Sequence, residues 1–446
     1  MIRRLALVRA GGTATSVLLA SLLFSHAGAH AQQPNDSVRV ELARLSALVD
    51  SLGREVRRLQ SGGQPEEQGD ALARLRAAAQ AAAAAGGGAP AAAPATQEFV
   101  GRQRSLQALN PEISVSADVF GHVNKDATNQ DNFFAREFEI SLVSNLDPYS
   151  RAKVFLSRET PGGEISPFPE EGEEEAGGSF SVEEGFVEWV GLPGNLSFKL
   201  GRFFQQFGQL NRWHSHALNF QSRSLPHLAF IGEENLGQTG ASIHWLMPFG
   251  GDGGGTYETT LEVTTKGNEL LFGGAQGVSL LGNLNGFWTL TESTDLDLSL
   301  SWMSGRYDDG TDAIDRNLYG AEMAFTWRPP GRSLYRGVTL RGGVMALEGL
   351  VGPADPEQTA WGFWTQGETR LSQSWLAGAR FDRTENPADP TETAWLVSPT
   401  ITWWQSEFVR IRVEYDLVGR SFMTNRDGQL LFQVTFAMGP HKHETY

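Results

Sequence analysis

The sequence predicts an all-β fold: a transmembrane antiparallel β-barrel of about sixteen strands, preceded by a short periplasmic coiled-coil helix and a flexible linker. Three observations lead there. First, apolar and polar residues alternate from residue 113 onward, as in Leu296-Asp297-Leu298-Ser299-Leu300-Ser301-Trp302 and in 408–416 (FVRIRVEYD); a period of two marks a strand. Second, one face carries Leu, Val and aromatics while the other carries Arg, Glu and Asp. A soluble sandwich shows the same alternation, but a charged second face fits a lipid-facing band with aromatic girdles around a polar lumen. Third, tight turns (DPYS, LPGN, TEST, RPPGRS, SQS, QSE) alternate with longer polar gaps at 159–180, 205–236, 305–316, 347–359, 383–392 and 418–427. Short periplasmic turns and longer outer loops are the outer-membrane rule.

In chain order, residues 1–31 read as a signal peptide. Arg3, Arg4 and Arg9 precede the apolar core Val17–Phe24, and Ala29-His30-Ala31 supplies a small-x-small cleavage site. Residues 33–61 carry a heptad of Val38, Leu42, Leu45, Val49, Leu52, Val56 and Leu59. That predicts a coiled coil and a homo-oligomer, dimer or trimer, with a lone amphipathic helix as the alternative. Residues 62–110, rich in Ala, Gly and Pro, read as a linker that buries no core. No folded plug domain of the kind a gated active transporter needs is recognised before the barrel. Strands are expected over 113–122, 133–145, 151–158, 181–190, 195–205, 237–247, 256–265 and 277–290. Eight more are expected over 294–304, 317–328, 334–346, 360–371, 375–383, 393–405, 407–417 and 428–438, within a barrel domain of 111–446. An even count puts both barrel ends in the periplasm, on the side of the coiled coil.

Composition excludes several classes. The 446 residues contain no cysteine and carry a net charge of −16, which removes thiolate chemistry and argues against nucleic-acid binding. No run of eighteen apolar residues follows the N-terminal segment, so no transmembrane helix is expected there. GxSxG, HExxH, Walker and dinucleotide motifs are absent; neither an enzyme nor a cofactor is expected.

Candidate functional residues fall in two groups. On the polar faces of the strands the acids are Glu137, Glu139, Glu184, Glu188, Glu258, Glu262, Asp295, Asp297, Glu322, Glu368, Asp382, Glu414 and Asp416. The bases are Arg151, Lys153, Lys199, Arg341, Arg370, Arg380, Arg410 and Arg412. Rings of charge set ion preference; the acid excess suggests a mild cation preference, and Lys199 with Arg151 and Lys153 a local anion path. The alternative is charge pairing across the ladder. The second group lies in Gly201–Gly237, dense in Phe, His, Arg and Asn. There Arg202, Arg212, Trp213, His214, His216 and Arg223, with Phe203, Phe204 and Phe207, are expected to narrow the channel. His214-x-His216 and His441-x-His443 have a spacing seen in metal sites, but no carboxylate or Cys stands at a fixed offset, so no metal is assigned. Hydrogen bonding that pins the loop is the alternative for His214 and His216. Glu170–Glu175 reads as a solvated loop tip, with a cation-attracting mouth as the alternative.

Residues 182–220 (VEEGFVEWVGLPGNLSFKLGRFFQQFGQLNRWHSHALNF) and 230–248 (FIGEENLGQTGASIHWLMP) resemble bacterial outer-membrane barrels related to phosphate-selective porins. Phe138–Ala152 and the ending FQVTFAMGPHKHETY are similar too. Some relatives carry the label of zinc-regulated, TonB-dependent receptors. The resemblance covers most of 133–446 and implies a porin-like barrel in the outer membrane. The expected function is a passive channel for small hydrophilic solutes or ions, with outer-membrane lipid as the other partner. Alternatives are a solute-specific channel for a metal ion or anion, and a structural anchor whose coiled coil tethers the cell wall or a partner.

Overall fold

The computed structural model describes residues 111–124, 132–160, 165–169, 180–250, 255–274, 276–352 and 357–439. The expected signal peptide, coiled coil and linker, the acidic run at 170–175 and the His441/His443 pair lie outside the described residues. Sixteen strands follow one another: β1 (Glu112–Asn124), β2 (Asn132–Asn145), β3 (Ser150–Glu159), β4 (Phe180–Leu192), β5 (Leu196–Phe204), β6 (Gly237–Leu246), β7 (Thr256–Thr265) and β8 (Val278–Thr291). Then come β9 (Thr294–Asp308), β10 (Ala313–Trp327), β11 (Gly337–Glu348), β12 (Thr359–Arg370), β13 (Trp375–Glu385), β14 (Thr393–Trp404), β15 (Val409–Arg420) and β16 (Asp427–Met438). Each pairs with its sequence neighbours, and β16 closes on β1 antiparallel, with Val115 opposite Met438. Closure leaves no unpaired edge, which lipid would not tolerate.

Each expected strand is present, most with ends shifted by only a few residues. The β9–β10 hairpin runs furthest beyond its expected ends. Its Asp- and Gly-rich tip reads as loop in sequence, but Asp309 Oδ1 accepts from the Thr311 and Asp312 amides at 2.8 Å and folds it into a tight turn. In β9 the alternation becomes geometry: Leu298, Leu300 and Trp302 are exposed on the outer face, while Ser299, Ser301 and Met303 are buried inside. Exposed aromatics gather at two levels, with Trp302, Tyr319 and Trp361 towards the long-loop end and Tyr149, Trp327, Trp375 and Phe408 towards the short-turn end. Tyr319 and Trp327 lie on one strand, about 27 Å apart along it and roughly 20 Å once the strand tilts. That approaches the ~25 Å height of a lipid-facing band.

Two β-bulges break the alternation on the inner face. Between β1 and β2 the register shifts after Asp118–Glu137, leaving Arg136 as the extra residue. Between β3 and β4 it shifts after Phe155–Glu184, leaving Glu183 extra. A bulge lets consecutive side chains share a face, so Arg136 with Glu137, and Glu183 with Glu184, all reach groups inside the barrel.

A glycine pair sits where β5 and β6 face each other, Gly201 opposite Gly240. Gly201 has φ +139, and a Cβ there would stand 2.3 Å from the Gly185 carbonyl oxygen; one on Gly240 would stand 2.1 Å from that of Val263. Only glycine permits such an approach. Gly201→Ala should therefore destabilise the refolded barrel by ~1–3 kcal/mol, read from the urea midpoint of tryptophan fluorescence. Gly191→Ala, also at positive φ but with open space around it, should cost less; equal losses would remove the close approach as the cause.

Candidate functional site

A barrel of sixteen strands is wide enough for an aqueous channel, and here residues 205–236 fold into it. The stem of this loop is closed by Gln205 N–H donating to Leu236 O at 2.9 Å. Asn211 bridges the same two legs, donating to Gln205 O and accepting from Leu236 N–H, each at 2.8 Å. Arg223 and Asn235 tie the outgoing leg to the returning one through the Trp213 carbonyl, at 3.1 and 3.0 Å. The loop has little regular structure: short 3-10 turns at Leu210–Arg212 and Ser215–Ala217, and one helix, α1 (Leu225–Phe230).

Backbone amides and carbonyls buried without such structure need partners, and the strands supply them from charged side chains. Carboxylates accept loop amides: Glu262 from Gln206 (3.3 Å), Glu322 from Gln209 (2.7 Å), Glu414 from Gln221 (3.0 Å) and Asp382 from Leu225 (3.0 Å). Ser301 Oγ accepts from Gly208 at 2.8 Å. Guanidinium groups donate to loop carbonyls: Arg136 to Gln221 (2.6 Å), Arg380 to Ser222 (2.6 Å), Arg410 to His216 (2.5 Å) and Arg412 to Leu218 (2.8 Å). Asn219 adds a short bond to Glu368. The loop is thus fastened to β2, β7, β9, β10, β12, β13 and β15, from the strand beside its own stem to those across the lumen.

Apolar packing completes the fit. Phe207, Ala229, Phe230, Ile231 and Leu236 of the loop join Leu281, Met303, Leu318, Met345 and Leu347 of the wall, with Leu271 and Phe272 of α2 (Glu269–Phe272). The inner face is therefore not polar throughout, as the strand pattern suggested. Towards the long-loop end it turns apolar, because a folded segment and not water lies against it. On the short-turn side of the loop a polar cavity of about 410 Å³ remains, with Arg151, Lys199, Arg212, Glu188, Glu258, Glu262, His244 and Asp297 around it.

The loop histidines meet carboxylates. His214 Nδ1 lies 2.8 Å from Glu139 and 2.8 Å from Glu183, and its Nε2 lies 3.4 Å from Glu184. His216 Nδ1 lies 3.0 Å from Glu137. Burial alone would lower both imidazoles, but these carboxylates outweigh it, holding His214 well above its usual value and lifting His216 to about 9. His227 behaves oppositely: burial, with the Arg223 guanidinium nearby, pushes it down to about 3 while its Nε2 meets Glu234 O at 3.1 Å.

Of the sequence candidates in this region, Arg212, Trp213, His214, His216 and Arg223 are all in the lodged loop. Arg212 donates to Gln206 at 2.6 Å beside the cavity, and Trp213 is buried with the Arg341 guanidinium 4.9 Å from its ring. Arg202 is not in the loop; it is on β5, its Nε donating to the Val182 carbonyl at 2.9 Å. Among the strand charges, Glu137, Glu139, Lys153, Glu184, Glu262, Arg380, Arg410, Arg412 and Glu414 are buried inside. Arg151 pairs with Glu188 at 2.7 Å. Asp295 accepts from Thr289 at the rim, and Arg370 bends to the Gln373 carbonyl of its own turn. Sequence reasoning missed Arg136, Asp118 and Glu183. Arg136 holds Asp118 at 2.9 Å besides serving the loop, and strict alternation would have turned it outward.

No family model matches the chain. An uncharacterised protein of Aquifex aeolicus is 29% identical over 153 residues, 34% of this chain and 29% of that protein; the match spans less than a third of that relative's length. Among solved structures, OprB of Pseudomonas putida superposes with a TM-score of 0.52 at 10% identity, covering 76% of this chain and 96% of that one. An anion-selective porin of Comamonas acidovorans gives 0.49 at 11% identity, covering 73% and 98%. The outer-membrane channel DcaP of Acinetobacter baumannii gives 0.47 at 7%, covering 74% and 96%. The likeness to OprB shows a shared fold, the outer-membrane β-barrel.

Acid should loosen the loop. Below about pH 6.5 the unfolded chain protonates His227 while the folded chain resists until about 3, so stability falls as pH drops through that window. His227→Gln keeps a donor for Glu234 O and removes the titration. Its thermal midpoint should fall less than wild type's between pH 7 and pH 4, and equal losses would exclude His227 as a cause.

Proposed function

We propose that the protein is an outer-membrane channel for small hydrophilic solutes or ions, and that residues 205–236 form its constriction. The observation that carries this is a loop fastened across the inside of a closed barrel, beside a polar cavity of about 410 Å³. Charged groups of both signs face that cavity, which favours small polar molecules over apolar ones. Transport is passive, the export segment at 1–31 delivers the chain, and the 33–61 segment assembles copies on the periplasmic side. A second reading, a channel specific for one solute class, is supported by the same cavity. Arg151, Lys199 and Arg212 stand there with Glu188, Glu258 and Asp297, a lining that could hold a solute carrying both charges. No observation favours a purely structural anchor.

Planar-bilayer recording of the purified full-length protein tests the reading. Wild type should conduct weakly, and replacing 207–234 by a short Gly/Ser linker should raise conductance several-fold. If that variant fails to refold, Asp382→Asn with Glu414→Gln weakens two loop anchors while retaining the chain. A silent wild type together with silent, folded variants would remove the channel function. Unchanged conductance on releasing the loop would remove only its role as constriction.

A further inference from the structure

The charged residues that serve the loop backbone leave one convergent group over. Glu137 and Glu139 stand two positions apart on the inner face of β2, and Glu183 is brought inward by the β4 bulge. The loop delivers His214 between them. One ligand atom from each of these four side chains lies within 4.8 Å of every other. His214 Nδ1 is 2.8 Å from a Glu139 oxygen and 2.8 Å from a Glu183 oxygen. One ring nitrogen carries a single proton, so it cannot make a full hydrogen bond to both.

Two further observations favour a cation at this group. Glu137 is 1% exposed, and its Oε2 has no hydrogen-bond partner among the described residues, although Oε1 meets His216. In addition, Glu159 on β3 is the direct cross-strand partner of Glu137, a like-charge pairing that costs stability unless compensated. With Glu184, five carboxylates stand around two imidazoles. The nearest strand cations are engaged elsewhere in part: Arg136 bonds Asp118 at 2.9 Å, and the Lys199 ammonium sits 4.6 Å from the Phe186 ring centroid. Buried carboxylates are stable when paired or when they coordinate a metal.

We infer that Glu137, Glu139, Glu183 and His214 form a binding site for one divalent first-row cation, of the Zn²⁺ or Mn²⁺ class, which rivets the lodged loop to β2 and β4. Bonds of ~2.1 Å in tetrahedral geometry set donor atoms roughly 3.4 Å apart, so the two 2.8 Å contacts would open by about 0.6 Å and no other pair, all within 4.8 Å, would close by more than about 1.4 Å. One imidazole with carboxylates suits such an ion better than Ca²⁺, which takes six to eight oxygens. Glu184, 3.4 Å from Nε2, is placed to orient the ring as an outer-shell partner does.

The inference does not depend on conduction and is tested without it. Full-length protein in detergent, stripped with chelator and dialysed, is mixed with ZnCl₂ or MnCl₂ alone. After gel filtration the retained metal is counted by atomic emission. One ion per chain is expected, with affinity falling at least about tenfold in Glu139→Gln and Glu183→Gln. Asp315→Asn, an exposed carboxylate on β10, should leave binding unchanged. X-ray absorption on the wild type needs no variant and should report one nitrogen and several oxygen donors. Failure to retain an ion stoichiometrically, undiminished binding in the Glu139→Gln/Glu183→Gln pair, or an all-oxygen shell would each overturn the site. A silent barrel that binds the ion would leave this inference standing and remove only the channel function.

Discussion

Every buried amide and carbonyl needs a partner, and a loop inside a barrel cannot find one in helix or sheet. This requirement organises the structure. Residues 205–236 contribute amides at Gln206, Gln209, Gln221 and Leu225 and carbonyls at His216, Leu218, Gln221 and Ser222. The wall answers with Glu262, Glu322, Glu414 and Asp382 for the first set and Arg410, Arg412, Arg136 and Arg380 for the second. Charged side chains are suited to this because hydrogen bonds to ionised groups are short and strong. The signs follow the loop's polarity: acids stand where N–H groups point, and arginines where carbonyls do.

That assignment changes the meaning of the strand charges. Read from sequence, they form rings that set ion preference, or pairs across the ladder. Arg151 with Glu188 is of the second kind, whereas Arg380 meets Asp382 along its own strand. Most of the buried ones hold the loop. The charges around the cavity, on the short-turn side, are of another kind: Lys199, Arg212, Glu258 and Asp297 stand together there. The chain's overall acid excess says little about selectivity, since the acids that count are those not already engaged by backbone.

The strands were legible because period two survives in each, and a closed barrel makes every strand obey the same rule. The tip of β9–β10 was not, since its turn depends on one aspartate side chain. Neither were the bulges: Arg136 and Glu183 occupy positions that alternation assigns to the other face, and only the partner's register reveals the slip. Met303, Leu318, Met345 and Leu347 carried a signal that went unread, apolar residues at inward positions of otherwise polar faces. The density of aromatic and polar residues marked this loop as a candidate for the inside of the barrel, but its inward fold was not legible from sequence alone. Nor were its partners, because they are remote: His216 meets Glu137 across 79 positions, and Leu225 meets Asp382 across 157. For the same reason His214 lacked a carboxylate at any fixed offset, yet finds Glu139, Glu183 and Glu184 in space.

The number of anchors also bears on how anything could pass. Hydrogen bonds to charged groups contribute about 1.5–3 kcal/mol each. Releasing four of them, even at the lower figure, costs ~6 kcal/mol, which leaves a free loop in fewer than about one molecule in ten thousand. Breaking the apolar contacts of Phe207, Phe230 and Ile231 lowers that further. A loop so held does not swing aside by thermal motion. In the proposed channel a solute would therefore run beside the loop, through the polar cavity next to Arg212 and Trp213, where side chains rather than the barrel's diameter would set the width.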